Sequence, residues 1–233
     1  MSKEKVGVII QARMGSSRLP GKSMIKIGSK PLIDHVVDRC IAAVPVSKVF
    51  LATTDLNEDN PLMEHVTKKY GITVFRGDKN DVRSRFEIIA KQHSLTKIVR
   101  ITADDPFKDP HHIIEAINAL DLFNVGYFNN FEVPVFPVGL DVESFRASLL
   151  FENIEKDSSD ESKEHVTIGI RKSPDFVKKY RVGAPEFAQT RLTIDTQSDL
   201  DFCRSLIKVN PEIENIDFKW ATLREALLAM EGQ

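Results

Sequence analysis

The sequence is poor in cysteine and tryptophan, and neither sign of charge dominates it. Its two cysteines, Cys40 and Cys203, lie far apart and form no CxxC pair, which argues against a zinc ribbon and against a disulfide framework. The 32 basic and 34 acidic residues leave a formal net charge of -2. No basic field therefore indicates nucleic acid as a partner, and we expect a small-molecule ligand instead.

Long hydrophobic runs are also missing. The apolar run near the N-terminus, residues 6–10, is too short for the hydrophobic region of a signal peptide, and no stretch approaches the length of a membrane span. We therefore expect a cytoplasmic protein without membrane contact. Because 42% of the residues are hydrophobic, the chain still has ample material for a core.

Short apolar runs alternate with amphipathic segments along the first half of the chain. Runs rich in β-branched residues predict buried strands, and apolar residues at i, i+3 and i+4 predict helices. The predicted strands are 6–10, 48–53, 72–75 and 97–102, and the predicted helices are 31–44, 60–70, 81–93 and 109–120. This order predicts an α/β fold with a mainly parallel sheet, helices on both faces, and ligands at the carboxyl ends of the strands.

The alternation stops in the middle of the chain. Two or three strands interrupted by Pro134 and Pro137 are predicted there, followed by a polar helical region. A return strand at 191–195 and two further helices close the sequence. Because no linker separates independent units, we expect a single domain over residues 1–233. Residues 123–190 would form an inserted segment that is a lid, a dimer arm or an antiparallel extension.

A loop that could bind phosphate follows the first predicted strand. Residues 11–23 read QARMGSSRLPGKS. A Walker A loop needs four residues between its first glycine and the GK pair, but five residues separate Gly15 from Gly21. Pro20 also removes one of the backbone N–H donors that such a loop would use. The spacing therefore argues against a P-loop kinase.

The same loop is nevertheless rich in groups that bind phosphate. Clustered guanidinium and ammonium groups beside free backbone N–H groups can neutralise and orient a triphosphate. An exposed basic loop would have the same composition. The cations are Arg13, Arg18 and Lys22, and the small residues between them are Gly15, Ser16 and Ser17.

Acidic residues follow two other predicted strands. Asp104 and Asp105 come directly after the strand 97–102, and Asp195 ends the return strand. A carboxylate at the carboxyl end of a parallel strand can bind Mg²⁺, which takes one or two protein carboxylates and completes its shell with water and phosphate. Each of these aspartates could equally be a turn residue or a helix cap.

The remaining candidates lie in the inserted segment. His165 stands in a polar stretch that also contains Arg171, and it could contact an acceptor. Asp141 and Glu143 form an acidic pair on one face of a predicted strand. They could bind a second cation or sugar hydroxyl groups, although an edge strand that faces water gives the same pattern.

The motifs together resemble the cytidylyltransferases that activate sugar acids, the CMP-sialic acid and CMP-Kdo synthetase superfamily. They are most similar to the branch named after spore coat polysaccharide biosynthesis protein F. The stretch IIQARMGSSRLPGK is the most specific match. The stretches that follow, in the order of that branch, are PLIDHVVDR, VFLATTD, VFRGDKNDVRSRF, VRITADDPFKDP, VGLDVESF, EHVT and LTIDTQSDL. The likeness covers nearly the whole chain.

The resemblance implies a Rossmann-like fold of the nucleotide-diphospho-sugar transferase type with a dimerisation extension. It also implies transfer of CMP from CTP to a sugar acid or related acceptor, with release of pyrophosphate, for polysaccharide biosynthesis. Mg²⁺ is the implied cofactor, and a homodimer is the implied assembly. The alternatives are a glycosyltransferase of related fold that uses a nucleotide sugar, and a non-catalytic nucleotide-binding homologue.

The resemblance also assigns roles by motif. The implied catalytic residues are Arg13, Lys22 and Asp104. The implied nucleotide-binding residues are Gln11, Ala12, Arg13, Gly15, Ser16, Arg18, Lys22, Arg76, Asp81 and Arg85. The implied metal ligands are Asp104 and Asp195, and the implied acceptor-binding residues are Asp141, Glu143, His165 and Arg171.

Two positions depart from the family pattern. Thr193 stands where the sialic acid branch has a further acid, two residues before the aspartate that matches Asp195. Val138 stands where an acidic residue is expected before the GLDVE stretch. We therefore expect a metal site with fewer protein carboxylates and leave the identity of the acceptor open.

Overall fold

A six-stranded sheet lies at the centre of the molecule, which a computed structural model describes over residues 4–131, 136–171 and 185–231. The strands in these ranges are β1 Val6–Gln11, β2 Lys26–Ile27, β3 Lys30–Pro31, β4 Val49–Thr54, β5 Thr73–Gly77, β6 Lys97–Thr102, β7 Tyr127–Asn129 and β8 Glu143–Arg146. The central sheet has the order β5-β4-β1-β6-β8-β7, and β2 pairs with β3 in a separate antiparallel hairpin.

The direction of the strands confirms the predicted sheet. β1 is parallel to β4 and β6, and β4 is parallel to β5. β8 is antiparallel to β6 and to β7, so the inserted segment adds an antiparallel edge to a parallel sheet. The prediction of strands in this segment is confirmed for β7 and β8, whereas Pro134 lies outside the described residues.

The helices fall close to the predicted segments. They are α1 Leu32–Ala43, α2 Asn60–Tyr70, α3 Val82–Gln92, α4 Pro110–Leu122, α5 Ala147–Lys156, α6 Asp160–His165, α7 Ile168–Arg171, α8 Gln197–Val209 and α9 Trp220–Glu231. Their first residues follow local signals. Asp109 caps α4 by accepting a hydrogen bond from the backbone N–H of His111, and Thr196 and Asp199 form a capping box at α8.

Alternating side chains of β1 pack into the apolar clusters on the two faces of the sheet. Val8 and Ile10 pack with α1 and α4 on one face, whereas Ile9 packs with Phe86 of α3 on the other. All of these side chains are 0% exposed. Covering by helices on both faces explains why β1 reads as a continuous apolar run instead of an alternating one.

A third apolar cluster lies beside the sheet. Leu200 and Leu206 of α8 and Leu223 of α9 pack there against Ile27 of the hairpin and against Phe107 in the loop after β6. This cluster fixes the C-terminal helices beside the loops that follow β1 and β6. No helix in the described ranges has the length and apolar character needed to cross a membrane.

The prediction of a return strand at 191–195 is wrong. Among the described residues, the ladder contact of this segment is an isolated bridge between Arg191 and Val138. Its remaining backbone bonds join it to loops, because the N–H of Ile194 donates to the carbonyl of Asp104 at 2.9 Å. The segment therefore runs past the carboxyl end of β6, and within the described ranges it extends no strand of the sheet.

Candidate active site

The loops that follow β1 and β6 face each other across a cavity of about 240 Å³. The register of the sheet aligns Gln11 with Ala52 and with Thr102, so these parallel strands end at the same edge. The predicted site residues that line this cavity are Gln11, Ala12, Arg13, Ser16, Arg18, Lys22, Arg85, Asp104 and Asp195. The cavity therefore lies where a ligand of a parallel α/β sheet is expected.

Lys22 connects the two loops that carry the aspartates. Its Nζ lies 3.2 Å from Oδ2 of Asp104, 2.9 Å from Oδ1 of Asp195 and 2.8 Å from the carbonyl oxygen of Ile194. Gly21 just before it has a φ of 71°, a conformation that glycine adopts without steric cost. This turn directs the chain so that Lys22 enters the cavity, where its side chain is 13% exposed.

The two aspartates differ in their electrostatic environment. Burial raises the pKa of Asp104, the nearby Asp105 raises it further, and Lys22 only partly opposes this. Burial would also raise the pKa of Asp195, but Lys22, Arg18 and Arg191 together hold that pKa below its usual range. Of the two aspartates, Asp195 is thus the one whose ionised form the neighbouring cations stabilise more.

A buried aspartate that the sequence analysis missed holds the basic loop. Asp59 is 0% exposed and accepts hydrogen bonds from the N–H of Met14 at 2.6 Å, the Thr53 hydroxyl at 2.9 Å and the N–H of Thr54 at 3.0 Å. It thereby joins the loop to the end of β4. The sequence showed only an acid before a helix that starts with Asn-Pro, which also describes an ordinary cap.

Three predicted nucleotide-binding residues do not line the cavity. Gly15 lies in the basic loop, where a Cβ atom would come within 2.7 Å of Oε1 of Glu58. Arg76 donates from Nε to the carbonyl oxygen of Thr54 at 2.9 Å. Asp81 accepts from the N–H of Ser84 at 2.8 Å and caps α3. These three residues are absent from the lining of the cavity, and their contact with nucleotide stays a prediction.

The cavity also has lining residues outside the predicted set. Glu164 of α6 is one of them, and it brings the inserted segment to the edge of the basic loop. Its neighbour His165 is exposed and lines neither this cavity nor the one beside it. The others are Ser17, Ser23, Val82, Thr102 and Ala103.

A second cavity of about 150 Å³ adjoins the first. Thr102, at the end of β6, lines both of them. Three of the four predicted acceptor-binding residues, Asp141, Glu143 and Arg171, line the second cavity. Two ligands could therefore meet at the end of β6.

Glu143 is the centre of the polar contacts in the second cavity. Its carboxylate pairs with Arg100 through Oε1, and with Arg171 through Oε2 at 3.3 Å. The Tyr127 hydroxyl donates to the same Oε2 at 2.6 Å. Burial would raise the pKa of Glu143, but these partners, Arg100 first, lower it overall. Glu143 therefore fixes the two guanidinium groups at this edge of the sheet.

Neither residue that departs from the family pattern lines a cavity. Val138 is 39% exposed and bridges to Arg191. The backbone N of Thr193 lies close to Gly139. The side chains of Val138 and Thr193 are thus absent from the lining of both cavities.

Comparison with known proteins identifies the class to which this site belongs. The chain matches the cytidylyltransferase family over residues 7–224. It is 35% identical over 206 residues to the spore coat polysaccharide biosynthesis protein SpsF of Bacillus subtilis (strain 168). The aligned region covers 85% of this chain and 84% of that protein. The chain belongs to the cytidylyltransferase family and is an enzyme of that type.

A solved structure supports the same conclusion over the whole fold. The cytidylyltransferase of Leptospira borgpetersenii serovar Hardjo-bovis (strain JB197) superimposes with a TM-score of 0.88 and 29% identity, over 99% of this chain and 96% of that one. A 3-deoxy-manno-octulosonate cytidylyltransferase of Escherichia coli is 30% identical over 111 residues, which are 47% of this chain and 43% of that enzyme. The family assignment favours cytidylyl transfer over the glycosyltransferase alternative.

Proposed function

We propose that the protein transfers CMP from CTP, with Mg²⁺ as cofactor, to a hydroxyl group of an acidic sugar and releases pyrophosphate. The observation that supports this most strongly is the position of Lys22 between Asp104 and Asp195, at the edge where the basic loop faces the end of β6. Relatives named for polysaccharide synthesis and for an octulosonate acceptor support the class of acceptor.

The first cavity is the proposed CTP site. Arg13, Arg18 and Lys22 line it and would neutralise the triphosphate. Arg85 enters from α3 on another side, and its Nε has no hydrogen-bond partner in the described structure although the atom is buried. Because Arg85 lines the cavity away from the basic loop, we assign it to the ribose or base end of the nucleotide.

The donor set at the edge of the cavity fits Mg²⁺. No group of three or more histidine, cysteine or acidic side chains within the described ranges could hold a metal ion, but Mg²⁺ needs only one or two protein carboxylates when phosphate and water complete its shell. Asp104 and Asp195 would hold it in place of the Lys22 ammonium group, which lies between them in this structure and would pair with the phosphates instead. The ion would supply charge neutralisation at the reacting phosphate.

The reaction that this arrangement suits is an in-line displacement. The acceptor hydroxyl oxygen attacks the α-phosphorus of CTP, the bond from that phosphorus to the bridging oxygen breaks, and pyrophosphate leaves. Lys22 and Arg13 would stabilise the negative charge that grows on the leaving group. The second cavity would hold the acceptor, since Thr102 is common to both cavities and brings the two ligands next to each other.

The primary test measures pyrophosphate release. Each of the four nucleoside triphosphates is supplied with Mg²⁺ and a panel of octulosonic and nonulosonic acids and neutral sugars. We expect release with CTP that depends on an acidic acceptor. Binding of CTP without release for any acceptor would instead support the non-catalytic homologue.

Replacement of Asp104 tests the assignment of the metal site. We expect Asp104→Ala to fold normally and to lose about two or more orders of magnitude in rate. Its affinity for Mg²⁺ in the presence of CTP, measured by calorimetry, should fall as well. The matched control is Asp201→Ala, because Asp201 is an exposed residue of α8. Substantial activity in Asp104→Ala would remove the metal assignment.

The homodimer and the cytoplasmic location that the resemblance implies belong to the same proposal. We expect dimerisation through the inserted segment 123–190. Sedimentation velocity of the wild-type chain tests the dimer, and cell fractionation tests the location.

A further inference from the structure

The two aspartates of the second cavity differ in how their carboxylates are satisfied. Asp105 is 4% exposed, and its Oδ2 accepts from the Thr102 hydroxyl at 2.7 Å and from Nζ of Lys108 at 2.8 Å. Its Oδ1 has no hydrogen-bond partner in the described structure, but this atom is itself buried and faces Gly139, so a ligand in the cavity does not reach it. Asp141 lines the same cavity, and no donor from the described ranges reaches its carboxylate. A largely buried carboxylate such as that of Asp141 is costly unless a ligand donates to it.

The charges around this cavity are unequally distributed. Lys108 is balanced by Asp105, and its Nζ also donates to the backbone carbonyl of Asp141. Glu143 pairs with both Arg100 and Arg171. The single negative charge of Glu143 therefore neutralises only one of these two guanidinium groups, and one positive charge beside Glu143 remains unbalanced. The carboxylate of Asp141 has no ion-pair partner of its own in the described ranges.

Arg171 is the guanidinium group that remains available to a ligand. Its side chain is 34% exposed, compared with 13% for Arg100. The group lies 4.7 Å from the centre of the Phe131 ring, which holds it against the wall of the cavity. A ligand carboxylate can pair with it because, within the described part of the chain, Arg171 uses Nε for Tyr127 and one terminal nitrogen for Glu143.

We propose that the acceptor is an amino sugar acid, whose carboxylate binds Arg171 and whose ammonium group binds Asp141. This inference rests on the proposed function and narrows its class of acceptor. Such a ligand supplies the missing donors and balances both unmatched charges. Burial raises the pKa of Asp141 to about 6, so at neutral pH the group is ionised but poorly solvated, and an ammonium partner stabilises it more than a hydroxyl group does.

The test compares pairs of acidic sugars that differ only by an amino group in place of a hydroxyl group. The first pair is 3-deoxy-manno-octulosonate and 8-amino-3,8-dideoxy-manno-octulosonate, and further pairs carry the amino group elsewhere. Dissociation constants are measured by calorimetry at pH 7.5 without CTP, so that no turnover occurs. For at least one pair we expect about tenfold tighter binding of the amino compound, the effect of one charge-assisted hydrogen bond.

The preference should depend on Asp141. In Asp141→Asn we expect the affinity ratio of that pair to fall to about one, whereas Asp201→Asn, an exchange of the same type at an exposed site, should keep it. Circular dichroism checks that both variants fold. Equal or weaker binding of every amino compound, or a preference that persists in Asp141→Asn, overturns the inference, and so does failure of all the compounds to bind.

A second measurement needs no variant. In the wild-type protein the preference should shrink as the pH falls through about 6, because Asp141 takes up a proton. Lys108, Asp105, Glu143 and Arg171 act on this titration from the surrounding elements. A preference that is constant between pH 5 and pH 8 contradicts the proposal. Pyrophosphate release with hydroxyl compounds but without an amino preference would leave the proposed function standing and overturn only this inference.

Discussion

The ammonium group of Lys22 lies between the carboxylates of Asp104 and Asp195, 3.2 Å from the first and 2.9 Å from the second. These residues are separated by 82 and 173 positions from Lys22 in sequence. The contact therefore ties together the basic loop, the end of β6 and the segment that precedes α8. A triphosphate that binds in this cavity with its metal ion would compete with the two carboxylates for this ammonium group.

Replacement of Lys22 by methionine should therefore reduce turnover strongly. We expect kcat for pyrophosphate release to fall by about two orders of magnitude or more, because the charge of the leaving group loses a cationic partner. Steady-state kinetics with saturating CTP measures this. The control is Lys26→Met, since Lys26 is an exposed lysine of β2 in the same part of the chain. Equal losses in both variants would show that Lys22 has no special role.

Asp59 should prove important for stability as well as for nucleotide binding. In Asp59→Asn the amide nitrogen replaces one acceptor oxygen, so at least one buried donor from Met14, Thr53 or Thr54 loses its partner. We expect the free energy of unfolding to fall by about 1 to 3 kcal/mol and the KM for CTP to rise. Urea unfolding and steady-state kinetics measure the two effects.

The control for this prediction is Asp55→Asn, because Asp55 is exposed and lies just after β4. It should change neither quantity appreciably. If Asp59→Asn is as stable as the wild type, the loop does not depend on this hydrogen-bond network.

Arg191 should influence the acidic limit of activity through Asp195. Its guanidinium group pairs with Asp195, and its Nε lies 3.8 Å from Oδ1 of Asp199. Arg191 is one of the cations that hold the pKa of Asp195 down. In Arg191→Met we expect that pKa to rise, so the acidic limb of the profile of kcat/KM against pH should move to higher pH. Arg204→Met, which removes a partly exposed arginine of α8, should leave the limb in place.

The fold of the first half could be predicted because the burial of each element there determines the spacing of its apolar residues. β1 and β4 are covered on both faces, so they read as apolar runs, whereas α1 and α3 bury one side and show helical spacing. Parallel strands end at one edge, and so the basic loop and Asp104 could be expected to meet. The segment 191–195 also has residues that favour a strand. A strand forms only where a neighbouring strand can pair with it, and the local composition does not show whether such a neighbour is present.

The details of the site depended on contacts that local sequence does not encode. Arg76 and Asp81 follow a motif, yet whether a side chain reaches a cavity depends on the register of β5 against β4 and on the start of α3. Asp59 and Glu164 gave no signal beyond those of a cap and a polar helix. The lack of a donor at the Asp141 carboxylate depends on the positions of the surrounding side chains, which the local sequence does not show.

The carboxylate of Asp141 should cost the unliganded protein stability above pH 6. Burial raises its folded pKa to about 6 from 3.8, so ionisation opposes folding, and a difference of this size corresponds to about 3 kcal/mol. The cost is fully present above the folded value. It disappears as the pH falls toward 3.8, where the unfolded chain is protonated too. Asp141→Asn should therefore raise the Tm at pH 8 and have little effect on it at pH 4, as measured by calorimetry, whereas Asp201→Asn should raise it at neither pH. A destabilised Asp141→Asn at pH 8 would mean that the ionised carboxylate is paired within the protein itself, and the open position proposed for an ammonium group would not exist.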